Sequence, residues 1–173
     1  DNGIFTIEKI EMCYESHPMY FYIYYPTGKT NIKTFLTVLH PQRKTTNDLI
    51  NDYKKIEDFC PIEDIVKQNF AIVLLLVDSV ASDSSNGKNS GIFKTMNFER
   101  NSNSWGVISA WSWACSKVLD YLCDRNEFDE KHVCILGHSR GGKTALLARA
   151  IDERFFMSIS NCSGNSGAAL SRN

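Results

Sequence analysis

The chain contains a pentapeptide of the form G-x-S-x-G, namely Gly137-His138-Ser139-Arg140-Gly141. It follows a short apolar run at residues 132–136, which is typical of a buried strand, and it precedes a helical pattern at residues 140–151. Strand, tight turn and helix are the context in which this pentapeptide forms a nucleophile elbow. The bare pattern also arises as an ordinary serine-containing turn, so the prediction of a nucleophile elbow depends on the flanking strand and helix.

Ser139 is the predicted nucleophile of this turn. A strained turn would project its hydroxyl from the edge of the sheet, and the glycines on either side would leave room where strand and helix meet. The backbone N–H of Arg140, at the start of the helix, could then face the oxyanion that forms on the attacked carbonyl.

A second pattern overlaps the first. Gly137, four further residues and Gly142-Lys143-Thr144 satisfy the P-loop form G-x-x-x-x-G-K-[ST]. Nucleotide binding is the weaker interpretation, because several predicted strands precede this loop and no later strand ends in an aspartate suited to Mg²⁺.

Strand and helix patterns alternate around the pentapeptide, as in α/β proteins. Strands are predicted at residues 35–39, 71–77, 132–136 and 155–159, and helices at residues 61–69, 104–123 and 140–151. This order predicts an α/β fold with a mainly parallel sheet flanked by helices, whose ligands bind at the carboxyl ends of the strands.

The remaining segments are interpreted from local signals. Aromatic and β-branched residues predict strands at residues 4–14 and 20–25, with a turn at residues 16–18. Residues 79–104 are polar and predict a long loop, while residues 124–130 predict a polar connector. Ser104 is the predicted N-cap of the long helix at residues 104–123. The three tryptophans of this segment, Trp105, Trp111 and Trp113, are expected to be packing residues.

Composition restricts the classes of function. The chain has 173 residues, 43% hydrophobic and 23% charged, with a formal net charge of −1. This charge argues against nucleic-acid binding through bulk positive charge, and the longest apolar run, residues 71–77, is too short to span a bilayer. We therefore expect one globular domain with neither nucleic acid nor membrane as a partner.

Six cysteines are present, and their spacing fits no compact metal motif. Cys115, Cys123 and Cys134 fall in apolar helix or strand patterns and are expected to be small buried side chains. A disulfide that involves Cys13 or Cys60 stays open, so the cysteines leave the compartment undecided.

Several further motifs occur in one order between residues 105 and 173. They are Trp105-Gly106, Ala110-Trp111-Ser112-Trp113, Leu119-Asp120-Tyr121-Leu122, Gly137 to Leu146, Asp152-Glu153-Arg154-Phe155, Ser160-Asn161-Cys162-Ser163-Gly164 and Gly167-Ala168-Ala169-Leu170-Ser171-Arg172. Together they resemble the glucuronoyl esterases, most of all the bacterial-type members of that family.

The resemblance implies an α/β-hydrolase and a serine carboxylesterase without a metal or other cofactor. Such enzymes cleave esters of (4-O-methyl)glucuronic acid that link glucuronoxylan to lignin alcohols, which implies a secreted protein. Ser139 matches the family's nucleophile, Arg140 its oxyanion-hole arginine, and Lys143 the lysine that contacts sugar hydroxyls. The simpler roles are a salt bridge from Arg140 to Asp152 or Glu153, and a solvated Lys143.

The chain departs from the family pattern at the acid and the base. Cys162 stands where some members carry a catalytic glutamate, and it cannot orient a histidine as a carboxylate does. Other members place the acid after a later strand, which would here lie beyond Asn173. All four histidines, His17, His40, His132 and His138, precede Ser139, although this fold places the histidine last. We therefore expect residues 1–173 to be the N-terminal portion of one hydrolase domain, truncated before the catalytic histidine, inactive alone and completed by the C-terminal part of the same hydrolase.

Two other functions stay open at this point. An acetyl or feruloyl xylan esterase would keep the fold and change the ester. A degenerate, non-catalytic carbohydrate-binding hydrolase would account for Cys162 and for the missing base.

Overall fold

The computed structural model describes residues 5–39, 53–57, 60–96 and 101–169. Its strands are β1 (Thr6–Tyr14), β2 (His17–Tyr25), β3 (Ile32–Leu39), β4 (Phe70–Leu76), β5 (Phe128–His138) and β6 (Met157–Asn161). Its α-helices are α1 (Ile62–Lys67), α2 (Val77–Val80), α3 (Val107–Cys123) and α4 (Arg140–Ile151). Short 3₁₀ helices cover Tyr53–Ile56, Gly87–Asn89 and Gly91–Lys94.

The described strands form one six-stranded sheet in the order β1-β2-β4-β3-β5-β6. Strands β4, β3, β5 and β6 are parallel to one another. Strand β2 pairs with β4 in antiparallel fashion, and β1 pairs with β2 in the same way. The prediction of an α/β fold with a mainly parallel sheet is therefore confirmed. The carboxyl ends of the parallel strands lie along one edge, where ligands bind in such sheets.

The core has two layers, one on each face of the sheet. Alternate side chains of β2 and β4 enter the two layers, since neighbouring residues of a strand point to opposite faces. Phe21 and Val73 lie in the layer with Trp111 of α3 and with helix α4. Tyr22 and Ile72 lie in the other layer, beneath α1. This double burial explains the continuous apolar sequence of β4.

The elements around the elbow match the prediction best. Helix α4 begins and ends where its pattern predicts, and β5 and β6 flank it in the expected order. Strand β5 is longer than predicted, because it starts at Phe128 within the predicted connector. Strand β6 lies two residues later than predicted.

Two local predictions are wrong. His17 and Pro18 belong to β2, paired with Tyr14 and Cys13, so the turn consists of Glu15 and Ser16. Helix α3 begins at Val107 with Gly106 as its N-cap. The Ser104 hydroxyl instead accepts a hydrogen bond from the N–H of Asn101 at 3.0 Å.

The predicted loop at residues 79–104 has a packed interior in its described part. Ile92 is fully buried and Phe93 is nearly so, which a polar loop would not require. The Nε1–H of Trp111 donates a hydrogen bond to the carbonyl oxygen of Ala81 at 2.9 Å. Trp111 is thus a buried packing residue, as predicted, and it also ties this loop to α3.

All six cysteines are free thiols. Cys115 is fully buried as expected, whereas Cys123 and Cys134 are half-buried. Burial raises the pKa of the Cys60 thiol to about 12, so this side chain is a packing group and not a nucleophile.

Candidate active site

Ser139 occupies the junction between β5 and α4. Its backbone angles are φ 54° and ψ −119°, a region that residues with a side chain rarely adopt. Its N–H donates to the carbonyl oxygen of Asn161 on β6 at 2.8 Å, and its own carbonyl oxygen accepts the N–H of Lys143 at 3.2 Å. These bonds hold the strained turn, and the serine is exposed at the carboxyl edge of the sheet.

Gly137 allows the chain to close on itself at this turn. A Cβ atom at this position would lie 2.1 Å from the carbonyl oxygen of Gly141 and 2.2 Å from its carbon. Both atoms belong to the backbone and cannot move aside as a side chain could. The glycine two residues before Ser139 is therefore a requirement of the backbone path, as the pentapeptide predicts.

The loop after β6 packs on the first turn of α4. A Cβ atom at Gly142 would lie 2.9 Å from the Ser160 hydroxyl, so this helix approaches β6 closely. The Ser163 hydroxyl accepts hydrogen bonds from Ser160 and from the N–H of Ala168, both at 2.8 Å. The elbow thus lies between β5, α4 and a loop that has its own internal bonds.

Lys143 reaches that loop rather than bulk solvent. Its ammonium group donates to the carbonyl oxygen of Asn165 at 2.6 Å. The Asn165 carbonyl had no signal in the sequence, because a backbone acceptor leaves no trace in residue type.

Arg140 forms an ion pair with a residue that sequence reasoning missed. Its guanidinium lies 2.7 Å from the carboxylate of Asp83, in the loop that follows β4 and α2. The simpler alternative, a salt bridge from Arg140 to Asp152 or Glu153, is wrong, because Asp152 binds Arg154 at 2.8 Å and Glu153 is exposed. The only sequence signal for Asp83 was its place in a long polar segment.

Two histidines lie far from Ser139. His17 contacts the carbonyl oxygen of Ser79 through Nε2 at 2.6 Å, on a strand three spacings, roughly 14 Å, from β5. His132 pairs with Asp129 at 2.6 Å, six residues, or roughly 20 Å, before His138 along β5. His40 lies outside the described residues. Neither His17 nor His132 can take a proton from Ser139 directly.

Cys162 follows β6 directly, with φ 49° and an exposed side chain. It occupies the carboxyl edge of the sheet, next to the Asn161 carbonyl that receives the Ser139 N–H.

Among the described residues, no group of three or more histidine, cysteine, aspartate or glutamate side chains is arranged to hold a metal ion. In the same part of the chain no helix combines the length and the apolarity that crossing a membrane requires.

The arrangement suits attack on an electrophilic carbonyl. An exposed hydroxyl lies at the start of a helix whose first N–H groups have no intrahelical acceptors. A guanidinium, which stays protonated, belongs to the next residue. Such donors stabilise the oxyanion of a tetrahedral intermediate.

Comparison with known proteins identifies the class and then the family. A glucuronoyl esterase from Solibacter usitatus superposes with a TM-score of 0.84 at 23% identity, over 98% of this chain and 50% of that one. Together with the strand–elbow–helix geometry, this similarity defines an α/β-hydrolase fold. The sequence model of the fungal glucuronyl esterases matches residues 26–173, and the chain belongs to this family.

Two relatives with similar sequences agree with that assignment. Carbohydrate esterase MZ0003, from an unknown prokaryotic organism, is 40% identical over 114 residues, which are 64% of this chain and 26% of that protein. The 4-O-methyl-glucuronoyl methylesterase 1 of Sodiomyces alcalophilus is 32% identical over 97 residues, 55% of this chain and 19% of that protein. The matched segments thus span about a fifth to a quarter of the length of these relatives. Membership of this family disfavours the P-loop interpretation.

Proposed function

We propose that this chain carries the nucleophile of a serine carboxylesterase that hydrolyses esters of (4-O-methyl)glucuronic acid in xylan–lignin linkages. The observation that carries the proposal is the strained backbone of Ser139, at φ 54° and ψ −119°, beside Arg140 at the carboxyl edge of the sheet. Strain of this kind is retained where surrounding contacts enforce it, and it is concentrated at active sites.

In the proposed reaction the Ser139 hydroxyl attacks the ester carbonyl carbon and loses its proton to a general base. The oxyanion receives hydrogen bonds from the Arg140 N–H and guanidinium. The intermediate collapses when the alcohol leaves with a proton, and an acyl-enzyme remains. Water then attacks the acyl-enzyme, which releases the uronic acid and restores Ser139.

Lys143 is the proposed contact to the sugar. Its ammonium group now binds the Asn165 carbonyl, and a sugar hydroxyl could replace this acceptor without burying an unpaired charge. Lys143 and Arg140 together favour a carbohydrate acid ester over an acetyl or feruloyl ester. Because xylan is an extracellular polymer, secretion is part of the same proposal.

The general base and the acid would come from outside the described residues. Residues 1–173 would then be the N-terminal portion of a single hydrolase domain, and further chain would complete the sheet beside β6. The exposed side chains of Phe156, Met157 and Ile159 support this, since they form an uncovered apolar patch on and beside the strand at that end of the sheet.

An assay of the full-length protein on benzyl glucuronate tests the function, with acetylated xylan as the second substrate and Ser139→Ala as the control. We expect hydrolysis of the glucuronate ester and a loss of at least about 10³-fold in the variant. Release of acetate alone would favour a xylan acetylesterase. Absence of both activities, with Ser139 unlabelled by a fluorophosphonate, would favour a non-catalytic carbohydrate-binding domain, the alternative that the cysteine at position 162 supports.

A further inference from the structure

The carboxylate of Asp83 lies across the candidate site from the elbow. Asp83 follows β4, Arg140 follows β5, and β3 lies between these strands in the sheet. Their 2.7 Å ion pair therefore crosses the carboxyl end of β3, on the edge where ligands of α/β sheets bind.

The two partners differ in how firmly they are held. The Arg140 side chain is 58% exposed, whereas the Asp83 side chain is only 16% exposed. The N–H of Asp83 donates to the Asp78 carboxylate at 2.9 Å. The preceding residue, Ser82, donates its N–H to the Ser90 hydroxyl at 2.8 Å, so two consecutive backbone N–H groups are held at this position.

Helix α3 anchors the same loop from below. The fully buried Trp111 donates to the Ala81 carbonyl, two residues before Asp83, at 2.9 Å. The carboxylate is thus a fixed point, and the long arginine side chain adapts to it. An arginine on the surface otherwise samples many rotamers, and ordering its side chain costs conformational entropy.

We propose that Asp83 is the positioning residue for Arg140, fixing its guanidinium at the carboxyl edge so that its remaining N–H donors meet the oxyanion. The inference rests on the proposed function. One guanidinium nitrogen binds Asp83, and a guanidinium has five N–H donors, so donors remain for the reacting oxygen. A donor that is already oriented contributes to catalysis, whereas a mobile one must be ordered in each turnover.

The test is a double-mutant cycle in the full-length protein with benzyl glucuronate as substrate. We expect Asp83→Asn to lower kcat by about 10- to 100-fold with a smaller change in KM, because a misplaced group costs transition-state stabilisation. In the Arg140→Ala background the same substitution should change kcat less than about twofold, because its partner is gone. Asp64→Asn, at an exposed position of α1, changes the net charge equally and should leave kcat unchanged.

A second readout separates positioning from folding. The rate at which a fluorophosphonate labels Ser139 should fall in Asp83→Asn, while the midpoint of thermal unfolding stays near that of the wild type. The proposal would be overturned if Asp83→Asn lowered kcat equally in the wild-type and Arg140→Ala backgrounds. It would also be overturned if Asp83→Asn left the kcat of an active enzyme unchanged. A wild type that neither hydrolyses the ester nor reacts with the label would overturn the proposed function itself, and this inference with it.

Discussion

At the scale of single residues, the backbone of the elbow sets the strictest limits. Ser139 is held in a rare conformation by hydrogen bonds to Asn161 and Lys143, and Gly137 passes within contact distance of Gly141. The proposed role of Ser139 as nucleophile requires only a hydroxyl at this position. The geometry that exposes the hydroxyl requires a particular residue two positions earlier.

The substitution Gly137→Ala tests this requirement. We expect it to lower the free energy of unfolding by at least about 3 kcal/mol, because the new methyl group would meet backbone atoms at 2.1 and 2.2 Å. Gly106→Ala is the matched control, since a Cβ atom there meets nothing within 4 Å, and it should cost less than about 1 kcal/mol. Urea unfolding of the full-length protein measures both, and equal costs would contradict the explanation.

The position of Ser139 in the elbow could be predicted from sequence because its signal is local, whereas the ion pair of Asp83 could not. The pentapeptide, its strand and its helix lie within one short stretch, and each part supports the others. Asp83 is distant from Arg140 in sequence, and the pair exists only because β4 and β5 flank β3. A polar residue in a polar segment carries no sign of such a partner.

At the scale of elements, the limits of a helix were predicted correctly where the hydrophobic pattern agreed with a residue signal for the end of the helix. Helix α4 is bounded by the elbow at one end and by Asp152 at the other, and its predicted limits are confirmed. Helix α3 has a serine near its start, but the chain becomes helical only after Gly106. The cap preference of Ser104 was outweighed by its hydrogen bond to Asn101, which no periodic pattern reveals.

A cluster of charges joins the end of α4 to α3, and it gives a pH-dependent prediction. Arg154 contacts both Asp152 and Asp120 at 2.8 Å. The hydrogen bond from Arg154 lowers the pKa of Asp152 to about 2. A carboxyl group whose folded pKa lies below its unfolded pKa stabilises the fold above the unfolded value of about 3.9. That contribution disappears as the pH falls through about 2.

Asp152→Asn should therefore lower the free energy of unfolding by about 1–2 kcal/mol at pH 6, with the half-exposed Arg154 limiting the effect. The difference from the wild type should shrink as the pH falls from about 4 toward 2. Chemical unfolding of the full-length protein at several pH values measures it. Glu153→Gln, at the exposed neighbouring position, should keep the wild-type profile, and a pH-independent cost for Asp152→Asn would exclude this origin.

At the scale of the whole molecule, the sheet is better covered at one end than at the other. Strands β2 and β4 are buried on both faces, whereas β6 exposes Met157 and Ile159. These two residues pair with Cys134 and Leu136 of β5, which are themselves only half-buried. The two side chains lie on one face of β6, because alternate residues of a strand share a face. An apolar face beside an edge strand favours a partner layer, which is the physical reason for proposing that further chain packs there.

Ile159→Asp in the full-length protein tests whether that face is covered. If further chain packs on β6, the substitution buries an unpaired carboxylate and should lower the free energy of unfolding by about 2–4 kcal/mol. Ile151→Asp is the matched control, because Ile151 is 59% exposed at the end of α4, and we expect it to cost less than about 1 kcal/mol. Urea unfolding compares the two variants. If both were tolerated equally, β6 would face solvent in the complete protein, and the layer that the proposed domain requires would have to pack elsewhere.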